Sequence, residues 1–200
     1  MYTTLEFGCI PLSMNLNNIF NNIIFEKIIS ENDTDIKKIL KIRNEEKVRN
    51  SMINDEIIIF EKHVSWISGH LKNNKKIFYK IKFLNNLIGL ITLDINEKKN
   101  FSWAFYISEK TQKGLGALIE LKFLDFFFFQ LLEKDLECQV LSFNQSVINL
   151  HIKYGFKIVG TKKNFLNRFE KKHDLINLHL DLKTWEIHRE NVYKRLKIIY

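Results

Sequence analysis

A short glycine-containing segment, residues 111–117, offers the first chemistry that can be read from this sequence. It reads Thr-Gln-Lys-Gly-Leu-Gly-Ala and lies between a strand-like run and a long apolar run that predicts a helix. Glycines at 114 and 116 let the backbone pass close to a bulky anion. The free N–H groups and the dipole of a helix start bind phosphate oxygens, so the segment predicts a phosphate site. A helix start that binds nothing is the alternative, because the segment is neither a Walker loop nor a complete dinucleotide fingerprint.

A second segment, residues 144–156, carries groups that can donate a proton. Asn144 is placed to cap a helix, an apolar side follows, and Gly155 with Phe156 ends the helix before a strand. The helix bears His151 and Tyr154, either of which could act as a general acid. On these residues alone, a purely structural capped helix explains the pattern equally well.

Composition excludes several classes of protein. One proline and seven glycines among 200 residues exclude collagen-like and Pro/Gly-rich disordered chains. Two cysteines, Cys9 and Cys138, cannot make a disulfide framework or a four-thiolate zinc site, which suits a reducing, cytoplasmic location. The longest apolar run, around 126–132, is too short to span a membrane. A net charge of +8 favours anionic partners, but the scattered lysines predict no nucleic-acid-binding arm.

Hydrophobic periodicity predicts the elements that position the two segments. Strands are expected at 23–29, 77–84, 87–95, 101–108, 136–143, 156–160 and 175–182, and helices from 36, at 60–71, 114–132, 145–154 and 183–198. Asn85 and Asn86 predict a tight hairpin turn. The order of elements predicts a mixed α/β domain of about seven strands flanked by helices. We place an N-terminal arm at 1–22, the domain at 23–183 and a basic C-terminal helix at 184–200.

Taken together over residues 87–160, the two segments resemble the acetyl-CoA-binding half of the GNAT N-acetyltransferase superfamily. The shared features are a strand, Gly-x-Gly at a helix start, another strand, and then Asn-x-x-small-x-x-Leu-aromatic-x-x-x-Gly-Phe. The resemblance implies acetyl-CoA as co-substrate, held between the splayed strands 101–108 and 136–143, and no metal. The implied cofactor-binding residues are Phe105 and Ile107, the turn Gln112, Lys113, Gly114, Leu115, Gly116 and Ala117, and Asn144.

The same resemblance identifies candidates for the catalytic acid. A tyrosine that commonly protonates the departing CoA thiolate in the family falls on His151 here. An imidazolium can perform that role with a pKa nearer neutrality. Tyr106 and Tyr154 are the alternative donors.

The N-terminal half resembles two related acetyltransferase groups. The motifs are Ile-Arg-Asn-Glu-Glu-x-Val-Arg-x-x-Met from residue 42 and Ile-x-x-Phe-Glu-x-His-x-x-Trp-Ile from residue 57. One group acetylates ribosomal-protein N-termini, and the other acetylates the 4-amine of UDP-4-amino-4,6-dideoxy-N-acetyl-β-L-altrosamine in pseudaminic acid biosynthesis. The spacing from Arg43 to His63 favours the nucleotide-sugar group. The substrate residues that this resemblance implies are Arg43, Met52, His63, Thr92 and Tyr106.

Purely structural interpretations of several of these residues also stay open. Arg43 can simply tie the first long helix to a carboxylate. The phenylalanines at 126–129 predict either core or a homodimer face. A non-catalytic basic module that binds nucleic acid or protein is the remaining function class, and it predicts no acetyl-CoA binding.

Overall fold

A seven-stranded mixed sheet flanked by helices forms the centre of the computed structural model, which describes residues 10–11, 14–97 and 100–199, the side chains of 198 and 199 excepted. The strands are β1 (Ile23–Lys27), β2 (Lys76–Phe83), β3 (Asn86–Ile95), β4 (Phe101–Ile107), β5 (Asp135–Leu141), β6 (Lys157–Arg168) and β7 (Lys171–Asp181). The helices are α1 (Leu16–Asn22), α2 (Ile36–Arg43), α3 (Glu46–Ser51), α4 (Phe60–Asn73), α5 (Leu115–Asp125), α6 (Gln145–Lys153) and α7 (Leu182–Ile199). The mixed α/β architecture predicted from the sequence is confirmed.

The sheet contains one parallel contact, and it is short. The strand order is β1-β2-β3-β4-β5-β7-β6, and every neighbouring pair is antiparallel except β4 with β5. These two strands pair only where Phe101–Trp103 meets Leu136–Cys138. Beyond Trp103 and Cys138 they diverge, which opens a V-shaped cleft at the centre of the sheet.

Aromatic stacking closes the base of this V. Trp103 of β4 lies against Phe123 of α5, with ring centroids 4.7 Å apart and planes 15° from parallel. Both side chains are buried, Trp103 at 2% exposure and Phe123 at 0%. Phe127 and Phe128 are buried too, in a π-helical turn (Phe126–Gln130) that ends the helix predicted to run to 132. The phenylalanine run is therefore mostly core, with Phe129 half exposed.

Both termini contribute to the core more than the sequence suggested. Residues 16–22, assigned to an arm, form α1, which buries Leu16 and Ile19. The ammonium of Lys122 on α5 donates to the carbonyls of Phe20 and Ile23 and holds α1 in place. At the other end, α7 buries Trp185 and packs on α5. Cys9 lies outside the described residues.

The boundaries of several strands and helices differ from the predicted ones where polar residues obscure the hydrophobic pattern. The strands β6 and β7 extend well into residues 161–174, outside the predicted 156–160 and 175–182, because this stretch is mostly polar and its apolar residues Phe165, Leu166 and Phe169 follow no period of two. Helix α3 follows α2 after a break at Asn44 and Glu45 and was not predicted. The β2–β3 turn takes positive φ at Leu84 and Asn85, one residue before the predicted Asn85-Asn86.

A buried lysine joins the first strands to the start of α2. Lys80 on β2 is 3% exposed, and its Nζ lies 2.6 Å from Glu26, 2.8 Å from Asp33 and 3.4 Å from Asp35. Hydrogen bonds from Lys80 and Lys82 lower the pKa of Glu26. Burial alone would lower the pKa of Lys80, but its hydrogen bonds to Asp33 and Glu26 raise it. The cluster thus fixes the direction in which α2 leaves the sheet.

We expect Lys80→Ala to lower the free energy of unfolding at pH 7 by about 3 kcal/mol, because it leaves carboxylates facing each other with no buried cation. Since the pKa of Glu26 is depressed in the folded state, this stabilisation is present at neutral pH and is lost as pH falls through the acidic range. Urea unfolding at pH 7 and pH 4 measures both effects. Lys163→Ala, which breaks an exposed pair with Asp174, is the control and should change nothing measurable. An equal loss in the two variants would contradict the assignment.

Candidate active site

Two adjoining cavities occupy the V between β4 and β5. One, of about 440 Å³, lies at the base, where Trp103, Cys138 and His151 line it. The other, of about 350 Å³, runs along β4 towards Gly116 at the start of α5. They share the lining residues Ser51, Met52, Phe105 and Val147, so they form one continuous groove.

The β4 side of the groove offers unpaired main-chain groups. The N–H of Ser108 donates to the carbonyl of Ile88, so in this antiparallel pair Ser108 and Tyr106 turn their main-chain groups towards β3. By the same alternation, Phe105 and Ile107 turn theirs towards the groove, where β5 has already moved away. An extended chain with amide groups can therefore add to β4 as an extra strand.

The glycine turn closes the far end of the groove. Gly114 has a φ of 97°, a backbone conformation that favours glycine, and α5 begins at the next residue. The N–H groups of Lys113, Gly114 and Gly116 have no hydrogen-bond acceptor among the described residues, whereas those of Leu115 and Ala117 bond to main-chain carbonyls. These free donors at a helix start suit a pyrophosphate. The side chain of Gln112 is engaged elsewhere, because its Oε1 accepts from the N–H of Ile10 at 2.6 Å.

Asn144 lines the base of the groove at the start of α6. Its side chain makes no capping hydrogen bond to the helix, contrary to prediction, and its Nδ2 instead donates to the carbonyl of Ser51 at 3.3 Å. Asn144 thus joins α6 to α3 across the groove and stays within reach of a bound ligand.

His151 is buried at the base of the groove and paired with an acid. Its Nδ1 lies 2.6 Å from Oε1 of Glu120 on α5, and the two residues are 4% and 0% exposed. Burial alone lowers the pKa of His151, but the charge of Glu120 and a contact with Cys138 outweigh it and raise the pKa to about 10. The ring is therefore an imidazolium at neutral pH, whereas the sequence suggested a pKa near neutrality. Glu120 was missed; its signal was an acidic residue among the apolar positions of α5.

The two candidate tyrosines lie in different surroundings. The hydroxyl of Tyr154 donates to the carbonyl of Ala117 at 2.8 Å, its ring packs near Trp185, and it does not line the groove. This geometry does not support Tyr154 as a proton donor. Tyr106 lines the groove and also a neighbouring pocket, and burial raises its pKa, so its hydroxyl stays protonated at neutral pH.

That neighbouring pocket, the Arg43 pocket, has a volume of about 450 Å³. It brings Arg43, His63 and Tyr106 together beside Trp66. Arg43 is 9% exposed, and its Nη2 donates to the carbonyl of Asn54 at 2.6 Å, so it ties α2 to a main-chain carbonyl rather than to a carboxylate. Its Nη1 and the Nε2 of His63 are buried without a partner among the described residues. Burial, with a smaller effect of Arg43, lowers the pKa of His63 to about 4, so this imidazole is neutral.

Two predicted substrate residues lie outside this pocket. Met52 lines the groove instead. Thr92 shares a sheet face with Tyr106 through its pairing with Ala104, but it lines neither the groove nor the pocket.

The family model described as "Acetyltransferase (GNAT) domain" matches residues 15–176 of this chain. The chain belongs to the GNAT acetyltransferase family. The expectations of a GNAT fold and of an acetyl-CoA-dependent acetyltransferase domain are confirmed at the level of the family.

A curated relative and several solved structures are similar to this GNAT chain. The relative, the "SPbeta prophage-derived uncharacterized N-acetyltransferase YokL" of Bacillus subtilis, is 28% identical over 104 residues, which span 50% of this chain and 59% of the relative. A spermidine N-acetyltransferase from Vibrio cholerae, solved with CoA and spermine, has a TM-score of 0.73 at 17% identity, covering 83% of this chain and 99% of that one. A dodecameric structure of that enzyme has a TM-score of 0.68 at 18% identity, covering 82% and 96%. At these identities the solved structures show the fold alone.

Neither a metal centre nor a membrane span is found in the part of the GNAT chain that the structure describes. No group of three or more His, Cys, Asp and Glu side chains there is arranged to hold a metal ion. None of the described helices is long and apolar enough to cross a bilayer.

An irregular segment, the 52–59 loop, connects α3 to α4 and forms the outer wall of the Arg43 pocket. The guanidinium of Arg168 donates to the carbonyls of Met52 at 2.5 Å and of Ile53 at 3.0 Å, and its Nε lies 3.2 Å from a carboxylate oxygen of Asp55. Arg168 comes from the far end of β6, beside a turn with positive φ at Phe169 and Glu170.

Two further side chains hold the same loop through its main chain. Arg49 Nη1 donates to the carbonyl of Asp55 at 2.6 Å. Asn44 exchanges two hydrogen bonds with the main chain of Ile58, at 2.8 and 2.9 Å. These two contacts are local in sequence, whereas Arg168 lies 116 residues from Met52, so residue patterns could not reveal its contact with the loop.

We expect Arg168→Ala to loosen the 52–59 loop while the fold persists, because it removes the donors that two loop carbonyls use. Hydrogen–deuterium exchange measured by mass spectrometry should show protection falling at least about ten-fold in this loop and little elsewhere. Lys171→Ala, at an exposed position of the same hairpin, is the control. Unchanged protection in the Arg168 variant would contradict the role assigned to this guanidinium.

Proposed function

We propose that this protein is an N-acetyltransferase that transfers the acetyl group of acetyl-CoA directly to an amine bound beside Arg43 and His63. The observation that carries the proposal is the meeting of the groove and the Arg43 pocket at Tyr106, which lines both. A thioester lying in the groove and an amine in the pocket would approach each other there. Holding two reactants in this way is itself a large part of catalysis.

Each part of the groove suits one part of acetyl-CoA. The free N–H groups near Gly114 and Gly116 would bind the pyrophosphate, aided by the positive end of α5. The outward main-chain groups of Phe105 and Ile107 would pair with the pantetheine amides, and Asn144 would hydrogen-bond the same arm. The thioester would then lie where the two cavities of the groove meet at Phe105, between His151 of one and Tyr106 of the other.

His151 is the proposed acid of the reaction. Its Nδ1 is occupied by Glu120, which leaves Nε2 as the ring nitrogen available to the groove. As an imidazolium it would give its proton to the sulfur when the thioester bond breaks. Tyr106, whose hydroxyl stays protonated, is the second candidate donor.

For the acceptor, we propose the 4-amine of a UDP-linked amino-dideoxy sugar of the pseudaminic acid type. Support comes from the charge of the pocket, where Arg43 and Lys62 face the single carboxylate of Glu56. Arg43 forms no ion pair with a described carboxylate, and its Nη1 is unpaired, so an anionic group such as a diphosphate would satisfy it. A polyamine, the substrate named for the structural neighbours, would be repelled by these cations.

An acceptor of a different class, a protein N-terminus, has one observation in its favour. Ile53, Ile57 and Ile59 on the 52–59 loop are exposed at 49%, 69% and 54%. Exposed apolar side chains beside a pocket are typical of surfaces that bind a macromolecule. This is the ribosomal-protein-type alternative.

An oligomer is also proposed, since a protein of similar fold is described as dodecameric. Light scattering coupled to size-exclusion chromatography tests it, and a single monomeric mass would contradict it.

The proposal is tested by acetyl-CoA titration calorimetry and by turnover with UDP-4-amino-4,6-dideoxy-N-acetyl-β-L-altrosamine, N-terminal peptides and spermidine. We expect micromolar acetyl-CoA binding and the highest kcat/KM with the nucleotide sugar. Preference for peptides would favour the alternative acceptor. A folded sample that binds no acetyl-CoA would overturn both enzyme functions.

We expect His151→Gln to lower kcat by about 100-fold or more, because the amide can still donate a hydrogen bond to Glu120 but cannot supply a proton. Its acetyl-CoA dissociation constant should stay within about three-fold of the wild-type value. Steady-state kinetics and calorimetry on the same preparation separate the two effects. Unchanged turnover would transfer the acid role to Tyr106.

We expect Arg43→Gln to raise KM for the nucleotide sugar at least about ten-fold and to leave acetyl-CoA affinity unchanged, because the unpaired Nη1 is lost. Arg49→Gln is the matched control, since Arg49 also holds the 52–59 loop but does not line the pocket. Equal effects of the two variants would show that Arg43 acts only by shaping the loop.

A further inference from the structure

A buried carboxylate on α5 has no place in the binding roles described so far. Glu120 is 0% exposed and lies between apolar neighbours on the helix, Ile119 at 0% and Leu121 at 1%. Its Oε1 is 2.6 Å from His151, and its Oε2 has no partner among the described residues. A carboxylate in such surroundings is strongly destabilising unless a cation compensates it. Packing alone gives no reason for an acidic side chain here.

The surroundings of His151 make Glu120 its dominant electrostatic neighbour. On β4 and after α6, the ring meets Trp103 and Phe156, with centroids 5.8 and 5.1 Å away. The titratable groups that face it are Glu120 from α5 and the thiol of Cys138 from β5. These apolar side chains screen the pair less than water would, so the attraction between the carboxylate and the imidazolium is stronger than between exposed groups.

We propose that Glu120 is a positioning residue for catalysis: through Nδ1 it orients the His151 ring, leaves Nε2 for the groove, and keeps the ring in its cationic form. The inference rests on the proposed function, in which His151 protonates the leaving sulfur. Glu120 itself does not touch the reacting atoms; it acts through His151. The proposed use of His151 as the proton donor, where the family commonly has tyrosine, thus depends on the carboxylate of Glu120, 31 residues earlier in the chain.

The step that Glu120 supports transfers one proton from His151 to the leaving sulfur. The lone pair of the acceptor nitrogen forms a bond to the thioester carbon, and the C–S electron pair goes to sulfur. The proton on Nε2 of His151 passes to that sulfur, which gives free CoA as the thiol. The nitrogen loses its own proton to water, and neutral His151 takes a proton from solvent before the next turnover.

The test is the pH profile of kcat in Glu120→Gln, an isosteric variant without the charge. In the wild type, His151 stays protonated up to a pKa of about 10, so turnover should not fall from loss of this proton below that pH. In the variant the falling limb should move to the ordinary histidine value of about 6.5 or lower, which predicts a loss of about 100-fold at pH 8.5. The acetyl-CoA dissociation constant should stay within about three-fold.

A spectroscopic titration gives a readout independent of turnover. With ¹⁵N-labelled histidine, the His151 resonances of the wild type should titrate well above pH 8 and those of Glu120→Gln below pH 7. If the wild type binds acetyl-CoA but acetylates no amine tested, the proposed function fails, while this titration still decides whether Glu120 controls His151.

Two further variants separate positioning from folding. Asp125→Asn on the same helix breaks the bidentate contact with Arg189 away from the groove, and it should lower the melting temperature but leave the pH profile unchanged. His151→Tyr restores the family's usual donor, and in that background Glu120→Gln should no longer move the falling limb. A His151 pKa and a kcat profile that stay at wild-type values in Glu120→Gln would overturn the proposal. Equal losses at every pH would also overturn it.

Discussion

The interruption of one parallel strand pair is the constraint on which the site depends. β4 and β5 pair over three residues each and then separate, so the central sheet loses its hydrogen-bond ladder at the place where the groove opens. Unpaired main-chain groups inside a protein are costly unless water or a ligand satisfies them. The stacked Trp103 and Phe123 keep the base of the V closed while its upper part stays open. Binding groups are thereby supplied by the backbone itself, with little demand on side-chain identity.

Two buried histidines show how neighbouring charge decides protonation. Burial disfavours the cationic form of both. His151 faces Glu120 and is held as an imidazolium, whereas His63 faces Arg43 and is held neutral. The groove and the adjacent pocket therefore contain one ring that can donate a proton and one whose Nε2, unpaired among the described residues, can take part in a neutral hydrogen bond. At His151 the charge of Glu120 and the contact with Cys138 outweigh burial, whereas at His63 burial is the main cause and Arg43 adds to it.

Much of the fold was predictable because it follows local periodicity. The β-branched and aromatic runs of β2, β3 and β4 and the signals at Gly114 and Gly155 are local, and the elements they predict are present. The site was predictable where a motif has a fixed backbone consequence, as at the start of α5. Contacts between distant residues were not: Glu120 with His151 and Arg168 with the 52–59 loop join positions whose proximity depends on the whole sheet. The polar end of the β6–β7 hairpin and the π-helical turn also lack a periodic signal, which explains the errors at β6, β7 and the end of α5.

The way in which the 52–59 loop is held has a consequence for how the pocket can diversify. Arg168, Arg43 and Arg49 bind its carbonyl oxygens, and every residue type has such an oxygen. Side chains along the loop can therefore be exchanged without releasing its path, provided that the guanidinium groups remain. The path of the loop and the side chains that it presents can thus vary independently, because the arginines hold the path through main-chain atoms. The outer wall of the Arg43 pocket can therefore change in shape and charge through substitutions in the loop alone.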